Sequence, residues 1–149
     1  MSASLLLVEP DVELAAQLQR AAADTATVAY CPEFSAAKRQ LLDSRFDYLV
    51  TNVRLQEYNG LHLIYLASVT GAPARCIAYT NERDPFIARE VHRAGAFYEI
   101  SACLAVALGA YLQARLPESD RRDPASFDRR GLFRGGRRCW DQHRVSTRH

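Results

Sequence analysis

Short, unbroken apolar runs recur along the chain, and each is followed by a stretch whose apolar residues come three or four apart. The first run is Leu5 to Val8. After Glu9-Pro10-Asp11, the residues Leu14, Ala15, Leu18, Ala21 and Ala22 form a helical stripe that Asp11 can cap. Ala26 to Tyr30 is the second run, and Pro32-Glu33-Phe34-Ser35 opens a helix with Ala37, Leu41 and Leu42 on its core side. Tyr48 to Val53 is the third. It is β-branched, aromatic and apolar nearly throughout, as a strand covered on both faces would be. Asn59-Gly60 predicts a turn into a helix over Leu61 to Ser68, with Leu61, Ile64, Tyr65 and Ser68 at one period and Leu63 and Leu66 adding width.

Gly71-Ala72-Pro73 breaks that helix, and Arg75 to Thr80 is the fourth run. Asp84-Pro85 then combines a capping carboxylate with proline at the first helical position. Ile87, Val91 and Ala94 face inward, and Gly95 ends the helix. Ala96 to Ser101 is the fifth run, and Ala102 to Leu116 is a last helix stopped by Pro117. Strands thus alternate with helices at spacings that suit right-handed crossovers and a parallel sheet covered on both faces, an α/β doubly wound fold. The carboxyl ends of such strands form the rim where chemistry is usually placed. On that rim fall Glu9, Pro10 and Asp11 after strand one, Asn52 at the end of strand three, Thr80 at the end of strand four and Ala102 just past strand five.

Composition divides the chain unevenly. Residues 1–116 carry 10 basic and 12 acidic side chains, a net of −2, whereas residues 117–149 carry 9 basic and 5 acidic, a net of +4. The expected division is a folded domain over 1–117 and a disordered arginine-rich tail over 118–149, where aliphatic residues are too few to offset the entropy of ordering. Arginine pairs with Phe127, Phe133 and Trp140 between them could hold nucleic-acid phosphates and stack on bases. A solvated tail or a remnant extension fits the same composition. Cys31, Cys76, Cys103 and Cys139 show no C-x-x-C pair, and the four histidines have no zinc spacing, so buried reduced thiols in a cytoplasmic protein are expected and no metal site is. The opening apolar residues are a strand rather than a signal peptide, with no charged segment before them. No apolar run reaches the ~20 residues that a membrane span needs.

Leu-Leu-Leu-Val-Glu-Pro-Asp at 5–11, Asp47 to Leu55 with Asn59-Gly60-Leu61, Ile77-Ala78-Tyr79-Thr80 and Arg93-Ala94-Gly95-Ala96 occur in an order and at spacings that resemble the receiver domain of bacterial two-component response regulators. The resemblance covers about residues 4–116. It implies a flavodoxin-like sheet of five parallel strands in the order 2-1-3-4-5. It also implies the chemistry of a phosphoryl acceptor. An aspartate oxygen attacks phosphorus, acidic neighbours hold magnesium, a lysine pairs with the phosphoryl oxygens, and a Ser/Thr hydroxyl receives one of them.

Against that pattern the chain is degenerate. The acceptor position is Asn52, whose amide is a poor nucleophile. The second acidic position is Pro10; Glu9 is kept, and Asp11 lies one residue beyond. The lysine position falls on Ala102, or on Ser101 if one residue is missing. The aromatic switch position lands on Glu99, or on Tyr98 with the same slip, and Thr80 matches cleanly. Asn52 can be read as a satisfied polar group, as a constitutive mimic of one signalling state, or as part of a repurposed pocket. The resemblance implies a non-enzymatic receiver-like protein that takes no phosphate, with magnesium binding weak or absent. It would act on a protein partner (a histidine kinase, an output protein or a second copy) through helix four, strand five and helix five. Phe86, Val106 and Ala110 are the candidate contacts there, with Ala107 beside them, while Leu104, Leu108, Tyr111 and Leu112 serve the core. The alternative is a nucleic-acid-associated regulator acting through the tail.

Overall fold

The computed structural model describes residues 3–69 and 74–114. Five strands form one parallel sheet: β1 (Ala3–Val8), β2 (Ala26–Cys31), β3 (Tyr48–Asn52), β6 (Arg75–Thr80) and β7 (Phe97–Ile100), in the spatial order β2-β1-β3-β6-β7. This is the expected order 2-1-3-4-5. The numbering differs because a small antiparallel hairpin, β4 (Arg54–Leu55) and β5 (Tyr58–Asn59), follows β3. Five helices complete the chain: α1 (Val12–Ala22), α2 (Phe34–Asp43), α3 (Leu61–Val69), α4 (Pro85–Arg93) and α5 (Ser101–Gln113).

Alternation along each strand sends side chains to two cores. Leu5, Leu7, Val50, Ile77 and Tyr79 pack with Ala15 and Leu18 of α1 and with Leu104 and Leu108 of α5. Leu6, Val8, Leu49 and Ala78 pack with Ala37 and Leu41 of α2, Leu63 and Ile64 of α3 and Val91 of α4. Burial on both faces is why β1 and β3 read as continuous apolar runs.

The helix boundaries follow their caps. Asp11 Oδ1 accepts from the Glu13 amide at 3.0 Å, and Asp84 Oδ1 accepts from the Phe86 and Ile87 amides at 3.0 and 3.3 Å. Gly95 takes φ 82°, the left-handed residue that ends α4.

Several inward assignments need correction. Leu42 is 61% exposed, because one residue past buried Leu41 turns it about 100° toward solvent. In α3, Tyr65 and Ser68 are exposed while Ala67 is buried; apolar residues all round that helix hide its inward face. Ala107 is in the core, not on the free side of α5, and Ala88 joins Val91 beneath α4. Before Gly60 the chain forms the small hairpin, with Gln56 at its tip at φ 58°. The last helix starts at Ser101 and ends at Gln113 with Ala114 as its cap, short of the expected Leu116; the helix break at Gly71-Ala72-Pro73, Pro117 and the tail at 118–149 lie outside the described residues. Among the described residues no helix is long and apolar enough to cross a membrane.

Cys31, Cys76 and Cys103 are buried cysteines. Burial pushes the Cys76 thiol up from 9.0 to about 12. The raised value means that the folded chain keeps a proton which the unfolded chain releases. The resulting stabilisation is complete below pH 9.0 and is lost as pH rises toward 12. Urea titrations at pH 9 and 10 are expected to differ by about 1 kcal/mol, and a Cys76→Ala variant should remove that part of the slope.

Candidate functional site at the carboxyl edge of the sheet

The ends of β1, β3 and β6 bring Glu9, Asn52 and Tyr79 into contact. Asn52 is paired in register with Tyr79, and Glu9 follows Val8, which pairs with Thr51. Glu9 and Asn52 are both buried. Asn52 Nδ2 donates to Glu9 Oε1 at 2.9 Å, and the Tyr79 hydroxyl donates to the same oxygen at 2.7 Å. Glu9 Oε2 accepts from the Asp11 amide at 2.9 Å. Asn52 Oδ1 accepts from the Arg54 amide at 2.9 Å, which anchors the start of the hairpin to the site. Tyr30, at the end of β2, donates its hydroxyl to the Glu9 carbonyl at 2.8 Å.

A buried carboxylate is costly unless its lone pairs are filled. Glu9 is surrounded by donors that are all neutral: an amide, a phenol and a backbone N–H. The Tyr79 hydroxyl is driven well above its ordinary pKa, first by burial and then by the Glu9 charge, so it stays a donor throughout the neutral range. Tyr30 is raised for the same two reasons, burial first. Neither tyrosine was legible as a site residue. The available signal was a tyrosine beside Thr80 inside a fully buried strand, since a buried phenol requires a partner for its hydroxyl.

The other rim positions divide. Pro10 is half-buried and brings no polar side-chain atom. Asp11 is exposed, and its carboxylate caps α1 rather than meeting Asn52. Thr80 and Tyr98 join through their hydroxyls. Thr80 Oγ1 also donates to the Glu82 carbonyl at 2.6 Å, and Tyr98 accepts from the Asp84 amide at 3.0 Å. Tyr98 therefore ties β7 to the segment leading into α4, and its own hydroxyl is raised chiefly by burial. Glu99 does not reach this rim. It faces the other side of the sheet, where Tyr111 of α5 donates to Glu99 Oε2 at 2.6 Å. Ser101 opens α5 just past the end of β7, its hydroxyl donating to Asn81 Oδ1 at 3.2 Å, while Ala102 beside it is exposed. Of the two frames open in the sequence, the shorter one puts Tyr98 beside Thr80. Among the described residues no group of three or more His, Cys, Asp or Glu side chains converges as a metal site would require.

Phe86 and Val106 are 69% and 79% exposed, and Ala110 is exposed too. They lie on α4 and α5, the helices that flank β7.

No protein-family model matches the sequence, and no curated protein does either. Solved structures do. The chemotaxis response regulator CheY4 of Vibrio cholerae matches at 18% identity with a TM-score of 0.69, over 78% of this chain and 100% of that one. The BeF3-activated DrrB receiver domain matches at 18% identity with a TM-score of 0.68, over 77% of this chain and 97% of that one. Against DrrB of Thermotoga maritima, an OmpR/PhoB homologue, identity is 17% and the TM-score 0.66, and the chain spans 54% of that protein's length. The strand order, the two helical layers and these likenesses together show that the chain has the fold of the response-regulator receiver domain.

Proposed function

We propose that the chain is a receiver-like module of two-component signalling that takes no phosphate and acts by contact with a protein partner. The observation that carries this reading is the hydrogen bond from Asn52 to Glu9. At the position where the resemblance calls for an attacking carboxylate there is an amide, and its N–H is spent on the acidic group beside it. Tyr79 and the Asp11 amide take further lone pairs of that carboxylate. A magnesium ion needs free oxygen ligands. Here a hydrogen-bond donor points at Glu9 from Asn52, Pro10 adds no ligand and Asp11 is turned to α1, so the donor set does not fit the ion. Ser101 and Ala102 provide no cation for phosphoryl oxygens. The module has no turnover of its own. Its partner face is α4, β7 and α5, with Phe86, Val106 and Ala110 as contacts, of which Phe86 and Val106 are exposed apolar side chains. Buried thiols such as those of Cys31 and Cys76 are in keeping with a cytoplasmic setting.

Incubation with acetyl phosphate and magnesium, followed by intact mass measurement, is expected to leave the mass unchanged. A gain of one phosphoryl group that is lost on mild base treatment would overturn the reading.

A further inference from the structure

The hairpin of β4 and β5 follows directly on Asn52-Val53, and it is fastened to the protein on one face only. Leu55 pairs with Tyr58 in register, so their side chains share a face, while Arg54 pairs with Asn59 on the other. Leu55 is buried in the core shared with α2 and α3. The Tyr58 ring stacks on Phe34 at the start of α2, with centroids 4.6 Å apart and planes 12° from parallel. Arg54, Gln56, Glu57 and Asn59 are exposed, and Tyr58 itself is 51% exposed.

Each strand of the hairpin has two residues, too few for its own ladder to hold it in place. Its tip works against closure as well. Gln56 takes φ 58°, and among the described residues it is the only non-glycine residue with a positive φ. The closed position therefore depends on contacts outside the hairpin. At the base the link to the site is direct, since the Arg54 amide donates to Asn52 Oδ1 at 2.9 Å and the Gly60 amide to the Val53 carbonyl at 2.7 Å. The Val53 amide, one residue earlier, belongs to the sheet and donates to the Tyr79 carbonyl at 2.9 Å. The boundary between fixed sheet and hairpin thus falls between Val53 and Arg54. We infer that residues 54–59 are a strap that opens as a unit, with the stack of Tyr58 on Phe34 as its latch. Opening withdraws the Arg54 amide from Asn52 Oδ1 and frees that side chain to leave Glu9. A displacement of α2 at Phe34 then reaches the carboxyl edge of the sheet through the hairpin. The inference holds whether or not the site takes phosphate, and its test involves no phosphoryl donor.

The test is native-state hydrogen exchange of the full chain, labelled with nitrogen-15, along a urea series below the unfolding transition. The amides of Arg54 and Gly60 and the side-chain amide of Asn52 are expected to exchange through one opening. Corrected for intrinsic rates, they should exchange roughly tenfold or more faster than the Val53 amide. Their exchange should depend little on urea, because the opening exposes little beyond Leu55. Tyr58→Ala removes the latch and should speed exchange at all three groups about tenfold, whereas Tyr58→Phe keeps the ring and should stay within about twofold of the parent. Arg54 as protected as Val53, with the same urea slope, would mean that the hairpin opens only when the whole domain unfolds. Different urea slopes at Arg54, Gly60 and Asn52 would mean that it does not open as a unit. A Tyr58→Ala variant that exchanges like the parent would mean that the ring pair is not a latch. Any of the three overturns the inference.

Discussion

Asn52→Asp is expected to make the protein dependent on a divalent cation for its stability. In the parent, the amide hydrogens of Asn52 supply positive charge to Glu9 Oε1 at 2.9 Å, inside a pocket where both residues are buried. Aspartate is nearly isosteric and replaces that donor with a second ionised oxygen. Two unit charges about 3 Å apart at an effective dielectric constant near 20 repel by roughly 5 kcal/mol. The folded variant can avoid part of that repulsion by keeping one proton between the two carboxyls. The net loss at pH 8, in the presence of a chelator, is therefore expected to be about 3 kcal/mol, or roughly 10–15 °C in Tm for a domain of this size. The sign with pH follows from the retained proton. Because the unfolded chain gives it up, the deficit is smaller at pH 5 and grows toward pH 8.

Magnesium or calcium at millimolar concentration should recover most of the loss, since the cation replaces the charge that the amide hydrogens supplied. Asn52→Ala separates this effect from simple loss of a hydrogen bond. It leaves Glu9 with one donor fewer, at a cost of about 1–3 kcal/mol, but adds no charge and should not respond to cations. Scanning calorimetry of the three proteins with chelator and with magnesium decides the matter. An Asn52→Asp variant as stable as the parent in chelator would mean that the two side chains are not in contact, and the account of a closed, self-satisfied pocket would fall with it.

Why the contact was not legible is a question of range. The backbone pattern was readable because each of its causes is local. β1 and β3 are buried on both faces and read as apolar runs, while Asp84-Pro85 and Gly95 punctuate α4 within single turns. Asn52 could be placed at a strand end for the same reason. Its partners could not be read so directly. Tyr79 reaches Glu9 across 70 residues of sequence, and nothing in Arg75–Thr80 separates a hydroxyl that closes a site from one more aromatic ring in a core. The choice between Glu99 and Tyr98 was a one-residue question of strand phase, and such a slip exchanges the two faces of the sheet. The pairing of Thr80 with Ile100 puts Tyr98 on the Thr80 face and leaves Glu99 to Tyr111. In α3 the difficulty was different. A helix apolar on both sides has no period to read, so Tyr65 and Ser68 share a period with buried Leu61 and Ile64 and are nevertheless exposed.

Gly60→Ala is expected to damage the same site from the outside. The hairpin returns the chain over the end of β3, and the Gly60 amide donates to the Val53 carbonyl at 2.7 Å. A Cβ added to Gly60 would lie 2.2 Å from the Asn52 carbonyl oxygen and 3.0 Å from Thr51 Oγ1. The first of these is a backbone atom on a central strand, and it already accepts from the Thr51 hydroxyl at 3.0 Å, so it cannot rotate away. Either β3 or the hairpin must shift, and a shift of the hairpin pulls the Arg54 amide from Asn52 Oδ1. The expected loss is about 3 kcal/mol, at the upper end of overpacking costs. Faster hydrogen exchange at Arg54 and Gly60 should accompany it. Gly109→Ala is the internal comparison. Its Cβ would come 2.9 Å from the Ala21 carbonyl where α5 crosses α1, but alanine gains about 1 kcal/mol over glycine within a helix, so the net change should stay within about 1 kcal/mol. Equal losses in the two variants would show that the hairpin does not hold the end of β3, and that the Asn52 side chain is positioned by Glu9 and Tyr79 alone.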